Sequence, residues 1–286
     1  MGAGTKETIN KYYIKPTKSL GQNFLVDDFA CRGIIEALNI KNDDLIIEIG
    51  AGLGALSKDI AEKAGRFIAV EIDKHLIPAL TDLLKDYSNT QIINTDFLDL
   101  DIEKEIIMNG FKPNSIKVVG NLPYYITTPI IMKLLTIENA IDIIVIMIQE
   151  EVVDRILAKP GTKDYGALSV AAQYFSTPEV LFNVPPHCFF PKPKVSSSVV
   201  RLIRHKVAPV YIKDKKLFFN VVKASFGQRR KTLLNSLFNS NMFSLNKEEI
   251  KAVLKSQGID ENARGETLSI VQFAQISNML SQKTLS

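Results

Sequence analysis

Asn121, Pro123 and Tyr124 stand together in VVGNLPY (118–124), where a β-branched run ends and a turn must begin. A turn alone is served by glycine or Asn-Gly, so a carboxamide, a rigid kink and an aromatic ring at one point ask for a chemical reason. An exocyclic amine such as adenine N6 is a poor nucleophile, because its lone pair is delocalised into the ring. The Asn121 side-chain oxygen and the Leu122 carbonyl can both accept its N–H bonds, which favours a pyramidal nitrogen and aims the lone pair at an electrophile. Pro123 holds the loop, and Tyr124 offers a face on which the base can stack. The competing reading is a polar turn that happens to carry a surface aromatic.

Other strand ends carry matching chemistry. EIGAGLGAL places glycines at 50, 52 and 54 between a strand and a helix, a turn that lets backbone approach a nucleotide-like ligand. Glu71, at the end of the next strand, can take both hydroxyls of a ribose. Asp96 can accept from an adenine amino group while Phe97 packs against the base, although an Asp there can equally cap a turn. A dinucleotide fingerprint wants GxGxxG; the GxGxG spacing here favours S-adenosylmethionine over NAD, and no proton-relay residue accompanies the loop. In CFFPKPKVSSS, Phe189 and Phe190 precede two prolines, with Lys192 and Lys194 suited to backbone phosphates. Beside NLPY the rings read as the other wall of a base pocket; alone they could be a core pair entering an extended proline segment.

Positioning these groups requires strands that end in register. Strand-like runs at 45–50, 66–73, 90–96, 115–121 and 142–149 alternate with helical runs at 56–64, 75–87, 129–137 and 150–158. That alternation predicts a parallel sheet covered by helices on both faces, an α/β fold. The rhythm then breaks: a helix at 165–175 is followed by strands at 179–184 and 196–205 with no helix between them, which predicts an antiparallel pair at the sheet edge. From about 206 the chain reads as helical, with 215–238 as one run, so the expected domains are 1–205 and a small all-helical 206–286.

Charge follows the same boundary. Residues 1–200 carry 20 Lys and Arg against 25 Asp and Glu, whereas 201–286 carry 15 against 6. A basic tail on an acidic body suits a polyanionic partner, or simply a solvated surface. Cys31 and Cys188 are far apart and read as reduced thiols, and His75, His187 and His205 share no ligand spacing, so no metal is expected. The longest apolar run, IIVIMI at 143–148, is strand-sized and too short to span a bilayer; a cytoplasmic, membrane-free monomer is expected.

Taken together, KSLGQNFL (18–25), EIGAGLGALS (48–57), VEID (70–73), NTDFLDLD (94–101), GNLPYYITTP (120–129), the segment 149–170 and FFPKPKVSSSVVRL (189–202) resemble the ribosomal RNA adenine N6-dimethyltransferases over nearly the whole chain. The resemblance implies a class I S-adenosylmethionine-dependent methyltransferase fold, Rossmann-like with a seven-stranded, mostly parallel sheet. It implies S-adenosylmethionine as donor, held by Asn23, Leu25, Gly50, Gly52, Glu71, Ile72, Asp96, Phe97 and Asn121. Asn121, Leu122, Pro123, Tyr124 and Phe189 then hold the target adenine; on charge alone, Lys192, Lys194, Arg229, Arg230 and Lys231 are the residues expected to meet RNA. Within the family, YGALSV and ASFGQRRKTLLNSL look like the housekeeping branch that dimethylates two adjacent adenines near the 3′ end of 16S rRNA in the small ribosomal subunit, with a role in subunit assembly. Ala167 departs from the YGRLSV of that branch. A large-subunit (23S) resistance-type enzyme, a non-catalytic RNA-binding assembly factor and a DNA adenine methyltransferase remain as alternatives.

Overall fold

The computed structural model describes residues 8–108, 115–137, 141–228 and 230–284. Among the described residues nine strands follow in chain order: β1 (Phe24–Leu25), β2 (Asp44–Ile49), β3 (Arg66–Glu71), β4 (Thr90–Asn94), β5 (Ser115–Asn121), β6 (Ile143–Gln149), β7 (Ser176–Val184), β8 (Phe189–Phe190) and β9 (Ser197–Arg204). Seven form one sheet in the order β4-β3-β2-β5-β6-β9-β7. β4, β3, β2, β5 and β6 run parallel, and β9 turns back antiparallel to β6. The sheet is the mostly parallel, seven-stranded one expected, with its order reversing between β2 and β5, where ligand crevices form.

Burial explains why the parallel strands are so uniformly apolar. Every residue of β2 is buried, and five of the six in β3, as strands covered on both faces require. Helices Asp28–Leu38, Ser57–Lys63, Ile77–Leu84 and Thr127–Thr136 supply the cover, the first capped by Asp27, whose carboxylate accepts from Ala30 N. Two buried polar sites interrupt β2. Near its start, the Lys117 ammonium of β5 lies 2.5 Å from Asp44 Oδ2 and donates to Asn39 O at 2.7 Å. Further along β2 is Glu48.

The chain forms two compact units, 1–153 with 177–204, and 154–176 with 205–286. The segment 154–176 thus groups with the C-terminal helices, although the sequence pattern puts it before a boundary at 205. Ring stacking accounts for this: Phe175 lies flat on Phe219 at 5.3 Å, and Tyr174 meets Phe218 at 5.3 Å. His205 N closes the group onto Phe175 O at 3.0 Å. The long helical run at 215–238 is two helices, Lys215–Gly227 and Leu233–Asn239. Thr232 starts the second by accepting from Asn235 N, and both bury apolar faces, so the hydrophobic pattern runs through the break. Among the described residues no helix is long and apolar enough to cross a membrane.

Candidate functional site

A cleft opens at the carboxyl ends of β2, β3 and β5. Gly50, Gly52, Glu71, Ile72, Asn121, Leu122, Pro123 and Tyr124 line it, together with Asn23 and Leu25. Most of the residues singled out from sequence therefore converge on one place.

The loop after β2 is shaped by its glycines, with φ of 69°, 59° and 80° at positions 50, 52 and 54. At Gly54 a side chain would be strained, and its Cβ would also run into the Leu83 side chain, so this position keeps helix and loop in close contact. Gly50 N donates to Val70 O at 2.8 Å, which ties the loop to β3. Glu71, only 4% exposed, accepts from Gly52 N and Asp73 N, each at 2.8 Å. A carboxylate offers about four lone-pair sites, so two backbone bonds orient Glu71 and leave capacity for hydroxyls. Burial pushes its pKa up, and those backbone bonds oppose the rise.

The target side of the cleft is held as firmly. Asn121 Nδ2 donates to Asn23 O at 2.8 Å, which assigns the amide orientation and leaves Oδ1 as the acceptor. Leu122 N donates to Met147 O at 3.1 Å, and Thr127 Oγ1 donates to Pro123 O at 2.9 Å. Asn121 Oδ1 and the Leu122 carbonyl accept no hydrogen bond among the described residues. Two acceptors with free lone pairs at one strand end suit a donor amine. Tyr124 is half-buried, its hydroxyl 3.2 Å from Ser197 Oγ, so the ring is fixed at its polar tip.

Three expected residues are absent from the cleft lining. Phe189 is 4% exposed and belongs to the hydrophobic core with Leu25 and Val184. β8 pairs antiparallel with β1, Leu25 opposite Phe189 and Phe24 opposite Phe190, so Phe189 supports the QNFL segment from within and offers no free ring face. Phe190 is the half-exposed member of the pair. Asp96 and Phe97 stand outside the cleft lining, one strand further out. Asp96 Oδ1 accepts from Leu98 N at 2.8 Å, a local turn, and Phe97 is buried. Their segment is nonetheless joined to the cleft: Asn94 Nδ2 donates to Glu71 O at 2.7 Å and Thr95 N donates to the same oxygen at 3.1 Å. Lys192 and Lys194 are exposed, as are Arg230 and Lys231 in the turn between two helices; Arg229 lies outside the described residues.

Two features were not anticipated from sequence. Glu48 lines the cleft, 3% exposed, and its Oε2 accepts from Ser57 Oγ at 2.5 Å. Burial pushes its pKa up to about 8. A charged residue inside the apolar run LIIEIG was the available signal. The other is a strap of residues 11–22 beside the cleft. Gln22 Nε2 donates to Asp73 Oδ2 at 2.8 Å while its oxygen accepts from Thr17 N at 2.8 Å, and Tyr12 Oη donates to Asp82 at 2.8 Å.

The residues present fit S-adenosylmethionine. A Cβ at Gly52 would stand 3.4 Å from the Phe24 ring, so that stretch of the cleft is kept open by the missing side chain. Beside it, the buried Glu71 carboxylate has lone pairs to spare, and Glu48 is a buried carboxyl without a cationic partner among the described residues. An acceptor-rich, anion-bearing cleft matches a cationic nucleoside.

Comparison with known proteins follows the same line. The family model described as Ribosomal RNA adenine dimethylase matches residues 14–282. A protein from Alkaliphilus oremlandii named Ribosomal RNA small subunit methyltransferase A is 49% identical over 279 residues, covering 98% of this chain and 96% of that one. Among solved structures, a dimethyladenosine transferase from Plasmodium falciparum superposes with a TM-score of 0.76 at 24% identity, over 91% of this chain and 98% of the other. The 23S rRNA methyltransferase ErmE superposes with a TM-score of 0.64 at 25% identity, over 91% of this chain and 100% of the other.

Proposed function

The chain belongs to the ribosomal RNA adenine dimethylase family, and from that premise we propose that it dimethylates N6 of two adjacent adenines near the 3′ end of 16S rRNA in the small ribosomal subunit. It is an S-adenosylmethionine-dependent rRNA adenine dimethyltransferase. What favours the small-subunit substrate over the 23S one is the identity: 49% to the small-subunit enzyme against 25% to ErmE, each over more than nine-tenths of the chain. Its setting is the cytoplasm, acting as a monomer in late subunit assembly.

The observation that carries the chemistry is the pair of free acceptors, Asn121 Oδ1 and the Leu122 carbonyl, at the end of β5. Bound S-adenosylmethionine supplies an activated methyl group on a sulfonium. Glu71 takes the ribose hydroxyls, and the backbone of Gly50 and Gly52 permits close approach. Asn121 and Leu122 accept hydrogen bonds from the two amine N–H groups and turn the nitrogen lone pair toward the methyl, the proton shed after transfer passing to solvent, while Tyr124 stacks on the base. After one transfer a single N–H remains, so one of these acceptors is released while the other still orients the amine for the second. Lys192, Lys194, Arg230 and Lys231 meet phosphates and fix the register of the RNA.

Nucleosides digested from rRNA after incubation with labelled donor test this reading. Labelled N6,N6-dimethyladenosine is expected; label on another base or on ribose would remove it. Asn121→Ala should lower the transfer rate by about 100- to 1000-fold, the scale of losing one oriented hydrogen-bonding group at a reacting centre, while the protein stays folded. Near-normal turnover would take the amine away from Asn121.

A further inference from the structure

The last turn of the helix Thr127–Thr136, which begins directly after NLPYYI, carries Lys133. Its ammonium is half-buried and donates to three backbone carbonyls of one loop: Phe97 O at 2.9 Å, Leu98 O at 2.7 Å and Leu100 O at 2.6 Å. It also stands 5.4 Å from the centre of the Phe97 ring. An ammonium has three N–H donors, and all three are spent on this one loop. Three carbonyl oxygens converging on one point repel each other, so the loop's shape depends on the cation that gathers them.

We propose that Lys133 is a positioning residue that shapes the subsite for the donor's adenine. The proposal rests on the reading that Asp96 accepts from that base, with Phe97 buried beside it in the same loop. The loop it grips is the one that carries both residues, and the same loop is tied to Glu71 through Asn94 and Thr95. A nucleoside whose ribose sits at Glu71 extends its base toward this loop. Asp96 has one oxygen engaged with Leu98 N, leaving the other to accept from an exocyclic amine. The helix that ends in this grip starts at the loop holding the target amine, with Thr127 Oγ1 bonded to Pro123 O. One rigid helix therefore sets the spacing between the adenine of the donor and the adenine of the RNA. Leu or Met at position 133 would keep the packing and lose the grip.

Calorimetric titration with S-adenosylhomocysteine and S-inosylhomocysteine separates the possibilities, because the second has a carbonyl in place of the amine. Wild type should prefer the adenosyl compound by about tenfold or more, the worth of one satisfied hydrogen bond. Lys133→Met should weaken adenosyl binding by about tenfold and bring the two affinities together, and Lys133→Arg, which keeps charge and donors, should restore part of the preference. A folded Lys133→Met protein that retains the wild-type preference would overturn the proposal. Should that variant not fold, Lys133→Gln is read in the same way. A wild type that binds both compounds equally would instead remove the adenine from Asp96, and the proposal with it. A wild type that binds neither would count against the donor cleft as a whole.

Discussion

Two parts of the sheet treat buried charge in opposite ways. At the amino end of β2, Asp44 is fully buried and meets a cation, Lys117 on the neighbouring β5, at 2.5 Å. At the carboxyl ends of β2 and β3, Glu48 and Glu71 are 3% and 4% exposed, and neither meets a cation among the described residues. Their partners are a hydroxyl and backbone N–H groups. Burying a carboxylate without a cation is costly, and burial accordingly raises the pKa of both. The amino end is closed by its own ion pair, whereas the carboxyl end keeps acceptors for a positively charged ligand. A structural acidic group and a site acidic group differ here in whether the protein itself supplies a cation.

The contrast can be broken from either side. Lys117→Met leaves Asp44 buried and uncompensated, and should cost about 3–5 kcal/mol of stability, read from denaturant unfolding. A loss below about 1 kcal/mol, the range of an exposed pair, would mean water reaches Asp44 and the amino end is not closed. Glu71→Gln touches the other end. It should weaken donor binding by about 10- to 100-fold, since hydrogen bonds to a charged group exceed those to a neutral one. Calorimetry showing unchanged affinity would take the ribose away from Glu71.

Glu48→Gln sharpens the comparison through pH. The folded state holds the Glu48 proton up to about pH 8, whereas the unfolded chain releases it near the ordinary value. Stability contributed by Glu48 is therefore present below that ordinary value and is lost as pH rises to about 8. Melting temperature should fall across this window in the wild type, and Glu48→Gln should flatten that decline. Parallel curves for the two proteins would show that Glu48 is solvated. The smallest effect belongs to the exposed basic residues. Replacing Arg230 and Lys231 with alanine should reduce the slope of log affinity against log salt by about 0.7–0.9 for each phosphate no longer neutralised. An unchanged slope returns them to ordinary solvated surface.

What was legible in the sequence follows from chain order. Strand ends in a parallel sheet fall on one edge, so the order of elements alone places the glycine loop, Glu71 and NLPY together. Phe189 could not be placed that way. Whether a ring in a two-residue strand faces in or out depends on its partner β1, which lies far away in the sequence. The break between Gly227 and Leu233 was hidden because apolar spacing continues through it. Glu48 was hidden because a strand residue in a motif reads as part of the turn beside it. Lys133 left no trace, since its partners are backbone carbonyls, which every residue has.

The account's central claim is tested most directly by mapping methylated bases after incubating the protein and labelled S-adenosylmethionine with undermethylated small subunits, large-subunit RNA and duplex DNA. Dimethyladenine at two adjacent positions near the 3′ end of the small-subunit RNA, and on neither other substrate, is the result expected. Label confined to large-subunit RNA or to DNA would contradict it.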